Sequence, residues 1–510
     1  MSTIRKQSII STLLIYAGFV FGAINTYLFT QKGLFDTSFT LEQYGLTRAF
    51  IVTGSFLYGF ASFGITAVIY KFFPYYKDNL KGKENDLLSI CLVLGLIGFV
   101  LTTFAGLVFE PLVIRKFSEK SKLLVQYYYW IFPFLFFYLF FSILEAYAWS
   151  LKKTVLSNFL KETGFRISTT LLIILFFIGA INFSLFIKLF SFLYAFSFII
   201  LLIYLVQLKE FHLTFTISRA TKKFWKKMGT LMLFVYGGVI VMVTAQSIDS
   251  FVIVSYGQHG VDPGEGLKYL AIYDFSTYIC SLVQVPQRSM ISISIPVLSQ
   301  AWKDKHYNTI KRVYSRSSIN LLLISLFIFL LVWLNYSDAI DVFGLNPMLK
   351  EGKIVVLLVG MKYIIDMGTG VNAQIIATST FWRFEFLSGV ILLLLAIPLN
   401  VVLVQRLGIE GAAWSSLIAF TIYNIIRLQF LWRKFKMQPF TKNTLYVLVH
   451  ALVCYGICYL LFNGMHSFWG MVLRSVVFVT LFTLSAFYLK LSPDITPVWS
   501  TFKKRFGFNR

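Results

Sequence analysis

Stretches of about 20 consecutive apolar residues, each long enough to cross a bilayer as a helix, constrain this chain more than any other feature. They recur near 9–30, 46–70, 87–109, 127–150, 158–180 and 183–206, and again near 229–256, 268–297, 318–336, 353–376, 384–404, 408–432, 443–462 and 467–490. Only 13% of the residues are charged, against roughly 25% in soluble globular proteins. The pattern predicts an all-α integral membrane protein with about 14 transmembrane helices. An even count puts both termini on one side.

The basic residues choose that side. With the N-terminus cytoplasmic, the inner segments hold thirty Lys and Arg and the outer loops nine, with Arg115–Lys122 the one discordant outer segment. Positive charge accumulates on cytoplasmic loops, so both termini are expected inside. The net charge of +24 sits in short loops between apolar runs. That distribution suits anionic membrane lipids and is not the footprint of a nucleic-acid binder. Arg5 and Lys6 precede the run 9–30, which is longer than a signal-peptide core and reads as a retained span.

The spans group as a six-helix lobe (1–208), a basic cytoplasmic connector (209–228), a second six-helix lobe (229–436), and an extra helix pair with a basic tail (437–510). Each lobe opens alike. A Gly-containing span (Gly18 and Gly22; Gly237 and Gly238) precedes a span that begins with Tyr and a charge, Tyr44 to Arg48 and Tyr269 to Asp274. Equal halves suggest a parallel repeat, which places a substrate site between them.

Charges at bilayer depth are costly and usually face a cavity or a partner. Arg48, Asp249 and Asp274 fall in the outer half, Lys362 and Asp366 near the middle, and Glu145, Arg166 and Arg288 in the inner half. Lys362 and Asp366 share a helix face, so they either neutralise each other or line a pathway. Glu162 and Arg166 have the same spacing near the inner interface and read as a surface pair. Arg48 is near enough to the outer boundary to snorkel. Arg288 lies between Pro286 and Pro296, on a span that two prolines are expected to bend and partly open. A guanidinium there can hold a phosphate through two parallel hydrogen bonds. In 361–383, Asp366, Thr369, Asn372 and Gln374 cover more than one helix face, and Gly368 and Gly370 loosen the helix between them. Asn25 and Thr26 serve either packing or the pathway. Small residues (Gly411, Ala412, Ala413, Ser415, Ser416) cluster where one span begins, and such side chains let helices approach closely.

The stretch Asn400 to Ala413, with its Gly-Ile-Glu-Gly-Ala-Ala end, the Ile295–Trp302 sequence IPVLSQAW and the Gly370–Ile376 sequence GVNAQII together resemble the bacterial polysaccharide flippases. These belong to the multidrug/oligosaccharidyl-lipid/polysaccharide exporter superfamily. The resemblance implies two lobes in a V shape around a cationic cavity, in the bacterial inner membrane. The implied substrate is an undecaprenyl-diphosphate-linked oligosaccharide, moved by alternating access for O-antigen, capsule or exopolysaccharide assembly. Other polysaccharide-assembly membrane proteins are implied partners. By resemblance, Arg48 and Arg288 are cavity cations, and Lys362 and Asn372 join them as substrate-binding candidates. Asp249, Asp274 and Asp366 are candidates for a coupling H+ or Na+. A lipid II flippase and a multidrug antiporter are the alternatives, although the antiporters usually have twelve spans.

No catalytic constellation is visible, so the chain does not read as an enzyme. It lacks a Walker-type phosphate loop, and its five His are scattered without zinc spacing. Cys454 and Cys458 share a helix face with no nearby His or carboxylate to complete a metal site. A polysaccharide polymerase typically displays a large outer loop, and none here exceeds about twenty residues. No cofactor is expected beyond the coupling cation.

Overall fold

The computed structural model describes residues 3–31, 38–80, 84–119, 121–151, 153–214, 216–256 and 265–494, with side chains from Ala17 onward except at 289, 292, 293, 296, 299 and 382. The side chains of Arg5, Lys6, Lys32, Lys152 and Pro296, the expected outer loop 257–264 and the basic tail 495–510 lie outside the described residues. The chain is all-helical and forms two compact units, Met1–Ala271 and Ile272–Arg510.

The first unit begins with α1 (Thr3–Thr30), the pair α2 (Leu41–Ala61) and α3 (Ile65–Asn79), and α4 (Leu87–Val108). Two short helices, α5 (Glu110–Phe117) and α6 (Lys122–Gln126), lead to α7 (Ile131–Ser150). Then come α8 (Thr154–Asn158), α9 (Phe165–Phe177), α10 (Phe183–Ser191), α11 (Leu193–Gln207) and the long α12 (Arg219–Tyr256). The sequence of α7, IFPFLFFYLFFSILEAYAWS, is apolar around its whole circumference, and 14 of its 20 residues are buried. A helix of that kind belongs inside a bundle. It packs against α2, α3, α4 and α11 and forms the axis of the unit. Small residues set the close approaches: a Cβ on Gly98 would collide with the Ala61 carbonyl, and one on Gly54 with the Phe134 ring.

The second unit takes in most of α13 (Gly266–Lys303), then α14 (Tyr307–Val342), α15 (Lys353–Gly368), α16 (Asn372–Thr378), α17 (Trp382–Leu407) and α18 (Ile409–Phe435). It ends with the hairpin α19 (Lys442–Phe462) and α20 (Phe468–Tyr488). The α17–α18 turn is the tightest junction. Gly408 adopts φ 59° and ψ −136°, a conformation essentially reserved for glycine. A Cβ on Gly411 would strike the Leu403 carbonyl. Gly411, Ala412, Ala413, Ser415 and Ser416 are all buried, and Ser415 Oγ donates to the Ala396 carbonyl at 3.3 Å. The close packing expected from those small side chains is present.

Among the described residues, nine helices are long and apolar enough to span a membrane, and two bent pairs bring the total to eleven. The three other expected stretches, 9–30, 158–180 and 268–297, are helical for most of their length but do not meet the same test among those residues. In 158–180 a π-helical turn, Phe159–Gly164, interrupts the α-helix. The two bent pairs are α2–α3, at 52°, and the segment ending α15 with α16, at 48°. Both breaks carry positive φ, at Phe63 and Gly64 in the first and at Gly370 in the second. The second break is where Gly368 and Gly370 are expected to loosen the helix.

One expectation fails. The span that holds Pro286 and Pro296 does not open: α13 is helical from Gly266 to Lys303. Each proline removes a single N–H, and the uninterrupted turns on either side carry the ladder past it.

The terminal hairpin is fastened to α14 at both ends. At one end the Arg474 guanidinium donates to Asp338 at 2.5 Å and to Asn335 at 3.0 Å, while His466 Nδ1 lies 2.9 Å from Asp338. At the other, Asp494 pairs with Arg316 at 3.2 Å and accepts from Asn320 at 2.7 Å.

Candidate functional site

In the second unit, the break between α15 and α16 lies next to a carboxylate. Asp366 is in the last turn of α15, and both its oxygens are held by amides. Gln287 Nε2, from α13, donates to Oδ2 at 2.9 Å, and Asn424 Nδ2, from α18, donates to Oδ1 at 3.2 Å. The Asn424 carbonyl in turn accepts from Asn372 Nδ2 and from Thr369 Oγ1, each at 3.0 Å. Asn372 also donates to Thr369 Oγ1 at 3.0 Å. Four residues from four helices, and Thr369 from the break, therefore form one network around a single carboxylate. Thr369, Asn372 and Asn424 are buried, and Asp366 is half-buried.

The break itself is braced from α14. Ser318 Oγ donates to the Gly368 carbonyl at 2.5 Å, and Ser317 Oγ accepts from the Val371 N–H at 3.3 Å. A Cβ on Gly370 would press on Ser317 Oγ and the Ser318 N–H, and φ there is +67°, so glycine is required twice over. Discontinuous helices are where transporters commonly hold Na+ or H+, and this one has a carboxylate beside its break. The donor set of carboxylate, amide carbonyl and hydroxyl oxygens suits a hard cation.

The remaining predicted residues divide between the units. Arg48 is half-buried on α2 and Asp249 half-buried on α12, both in the first unit. Asp274, Arg288, Lys362, Asp366 and Asn372 belong to the second. Asp366 and Asn372 are brought together through Thr369 and Asn424. Lys362 and Asp366 do not pair: Lys362 Nζ lies 4.7 Å from the Tyr363 ring centre and 4.8 Å from that of Phe420. Arg288 follows Gln287, the residue that holds Asp366, and is exposed on its helix.

In the first unit, Glu145 is buried on α7 and bonded to Lys161 Nζ at 2.8 Å. Lys161 sits in the π-helical turn, as does Glu162, which pairs with Arg166 at 3.8 Å. Asn25 serves packing: its amide donates to the Arg166 carbonyl at 2.8 Å and its oxygen accepts from Thr170 at 2.6 Å, joining α1 to α9.

Sequence reasoning missed Gln287 and Asn424, and also a second buried charge. The Arg427 guanidinium, on α18, donates to the Glu385 carboxylate and the Tyr423 hydroxyl. Its signal was available, since an arginine inside an apolar run is a functional or paired residue by default. The α19 cysteines do have a histidine neighbour. His450 is one helical turn from Cys454, with Nε2 3.5 Å from the thiol. Even so, no group of three His, Cys, Asp or Glu forms a metal cluster among the described residues.

No protein-family model matches the chain, and no curated protein matches it in sequence. Solved structures do match its fold. The lipid II flippase MurJ, in an inward closed conformation, aligns over 94% of this chain and 99% of its own, with a TM-score of 0.72 and 15% identity. An inward-facing multidrug resistance MATE family transporter of the MOP superfamily aligns over 83% of this chain and 94% of its own, with a TM-score of 0.60 and 13% identity. A MATE transporter of Vibrio cholerae aligns over 85% and 98%, with a TM-score of 0.53 and 16% identity. The chain has the multi-pass helical fold shared by the MurJ flippase and the MATE transporters.

Proposed function

We propose that this protein is a flippase. It moves undecaprenyl-diphosphate-linked oligosaccharide repeat units from the cytoplasmic to the outer leaflet of a bacterial inner membrane, by alternating access, for surface polysaccharide assembly. The observation that carries this reading is the extent of the likeness to MurJ, which takes in 94% of the chain against 83–85% for the two transporters. Basic groups at bilayer depth agree with it. Arg48, Arg288 and Lys362 supply positive charge for a diphosphate, and the Tyr363 and Phe420 rings flank Lys362 Nζ. Asn372, whose amide donates to Thr369 and Asn424, supports the Asp366 site rather than the glycan.

Moving a charged headgroup through roughly 30 Å of hydrocarbon needs a driving force. The membrane potential offers about 2.3 kcal/mol per elementary charge per 100 mV. In this reading Asp366 binds the coupling H+ or Na+, with Asp249 and Asp274 as further candidates.

Arg288 tests the reading. A charge-assisted hydrogen bond contributes about 1.5–3 kcal/mol. Arg288→Lys, which keeps charge but loses the fork, should impair surface glycan display in a complementation strain. Arg288→Ala should reduce it further, with protein level unchanged. An antiporter for cationic drugs would show the opposite, unimpaired or improved export. Wild-type display by Arg288→Ala would refute the phosphate role.

Lipid II itself is the second reading, favoured by the identity of the MurJ match. It predicts that the protein restores growth when a cell's own lipid II flippase is depleted. The first reading predicts restored surface glycan without restored growth.

A further inference from the structure

A second site lies in the first unit, where the start of α4 meets the segment that leads into α12. Asp86 immediately precedes α4 and is only 1% exposed. Its Oδ2 accepts from the Ser218 N–H and the Thr221 hydroxyl, both at 2.8 Å. Tyr76 OH, 2.7 Å from Thr221 Oγ, completes the anchor. One turn on, Ser89 Oγ accepts from the Thr214 N–H at 2.7 Å. Both donors therefore fall on the same carboxylate oxygen. The other, Oδ1, is buried with no hydrogen-bond partner among the described residues. A carboxylate oxygen taken out of water is costly unless a donor reaches it.

Asp86 lines a pocket of about 660 Å3, and the rest of the lining has a definite order. Ile90, Val93, Leu94 and Ile97 run along α4 at the i, i+3, i+4, i+7 spacing of one helix face, for about 10 Å of axis. Val93 and Ile97 are exposed although α4 is a membrane span, so this wall faces lipid chains. Exposed Lys222 and Trp225 stand opposite on the first turns of α12, the residue types that mark the membrane–water boundary. A carboxylate short of a donor, a lysine and an apolar channel thus sit together at the boundary.

We infer that this pocket holds a phospholipid with a primary-ammonium headgroup, a phosphatidylethanolamine. Its ammonium donates to Asp86 Oδ1, its phosphate meets Lys222, and one acyl chain lies along Ile90, Val93, Leu94 and Ile97. An –NH3+ group has three donors. The quaternary ammonium of phosphatidylcholine has none, and phosphatidylglycerol carries no cation for the carboxylate. The lipid links the start of α12 to α4, so it acts on the link between the long helix and its bundle. The inference does not depend on what the protein transports.

Native mass spectrometry of the full-length protein, offered equal phosphatidylethanolamine, phosphatidylcholine and phosphatidylglycerol, tests it. One charge-assisted hydrogen bond predicts about tenfold greater retention of the ethanolamine lipid. Asp86→Asn keeps an acceptor for Ser218 and Thr221 but puts an –NH2 where Oδ1 was, so the preference should vanish while the melting temperature holds. Ile97→Trp fills the channel without touching the carboxylate and should lower retention of all three lipids, which keeps the test open if Asp86→Asn fails to fold. Equal retention of the ethanolamine and choline lipids by the wild type would overturn the proposal. So would equal retention of phosphatidylglycerol, a preference that survives Asp86→Asn, or retention unchanged by Ile97→Trp.

Discussion

Asp366 shows how much of the proposed ion site rests on one residue. Its two amide donors are neutral, so they orient the carboxylate without supplying the positive charge that would neutralise it. Lys362, one turn away, is turned onto aromatic faces instead. A carboxylate held in place with no counter-ion among the described residues has reason to bind a cation. Asp366→Asn keeps the side chain's shape and one acceptor oxygen, and should leave folding intact. Transport into vesicles driven by an imposed Na+ or pH gradient should fall at least about tenfold, the loss of one charge-assisted contact. Asp249→Asn and Asp274→Asn, assayed alongside, show whether coupling is shared. Full gradient-driven transport by Asp366→Asn would leave the network as a brace for the broken helix.

At the scale of elements, the α19–α20 hairpin shows how polar groups can fasten one helix to another in a medium without a hydrophobic driving force. The Arg474–Asp338 pair is buried, with side chains 6% and 10% exposed. Removing one partner of a buried pair costs about 3–5 kcal/mol, because the other is stranded, whereas replacing both with apolar residues is often neutral. Arg474→Ala should therefore loosen the hairpin from α14, and Asp338→Leu with Arg474→Leu should largely restore the attachment. Hydrogen exchange is the measurement: amides in 442–488 should exchange faster in the single variant and near the wild-type rate in the double. Those of α7, in the other unit, should not change. Exchange in 442–488 that ignores the single substitution would show that apolar packing alone attaches the hairpin.

For the whole molecule, the orientation expected from thirty inner against nine outer basic residues is directly measurable. The four native cysteines are buried, which gives a low labelling background. Glu351, in the turn before α15, and His306, in the turn before α14, are exposed and belong to opposite expected sides. With the termini inside, Glu351→Cys should react with an impermeant thiol reagent in intact cells after outer-membrane permeabilisation, and His306→Cys should react only after lysis. The reverse pattern would invert the molecule and, with it, the direction of transport proposed above.

The amino-acid sequence alone determined what depends on short stretches of chain. Runs of apolar residues set the membrane spans, and the small residues from Gly411 to Ser416 announced the tight α17–α18 packing. Gly368 and Gly370 marked the break beside Asp366. These properties are local, because hydropathy, side-chain volume and permitted φ act within a few residues. Tertiary structure decided which polar groups meet. Gln287 and Asn424 stand 79 and 58 residues from the Asp366 they hold, and no spacing along a helix connects them. The helical interval between Lys362 and Asp366 made an ion pair possible, but the way α15 packs on α18 turned Lys362 toward Phe420. Two prolines in α13 pointed to an opened helix, yet the turns around them kept the span helical. Choice of partner is a property of how helices rotate and pack against one another, and that becomes defined only when the bundle is assembled.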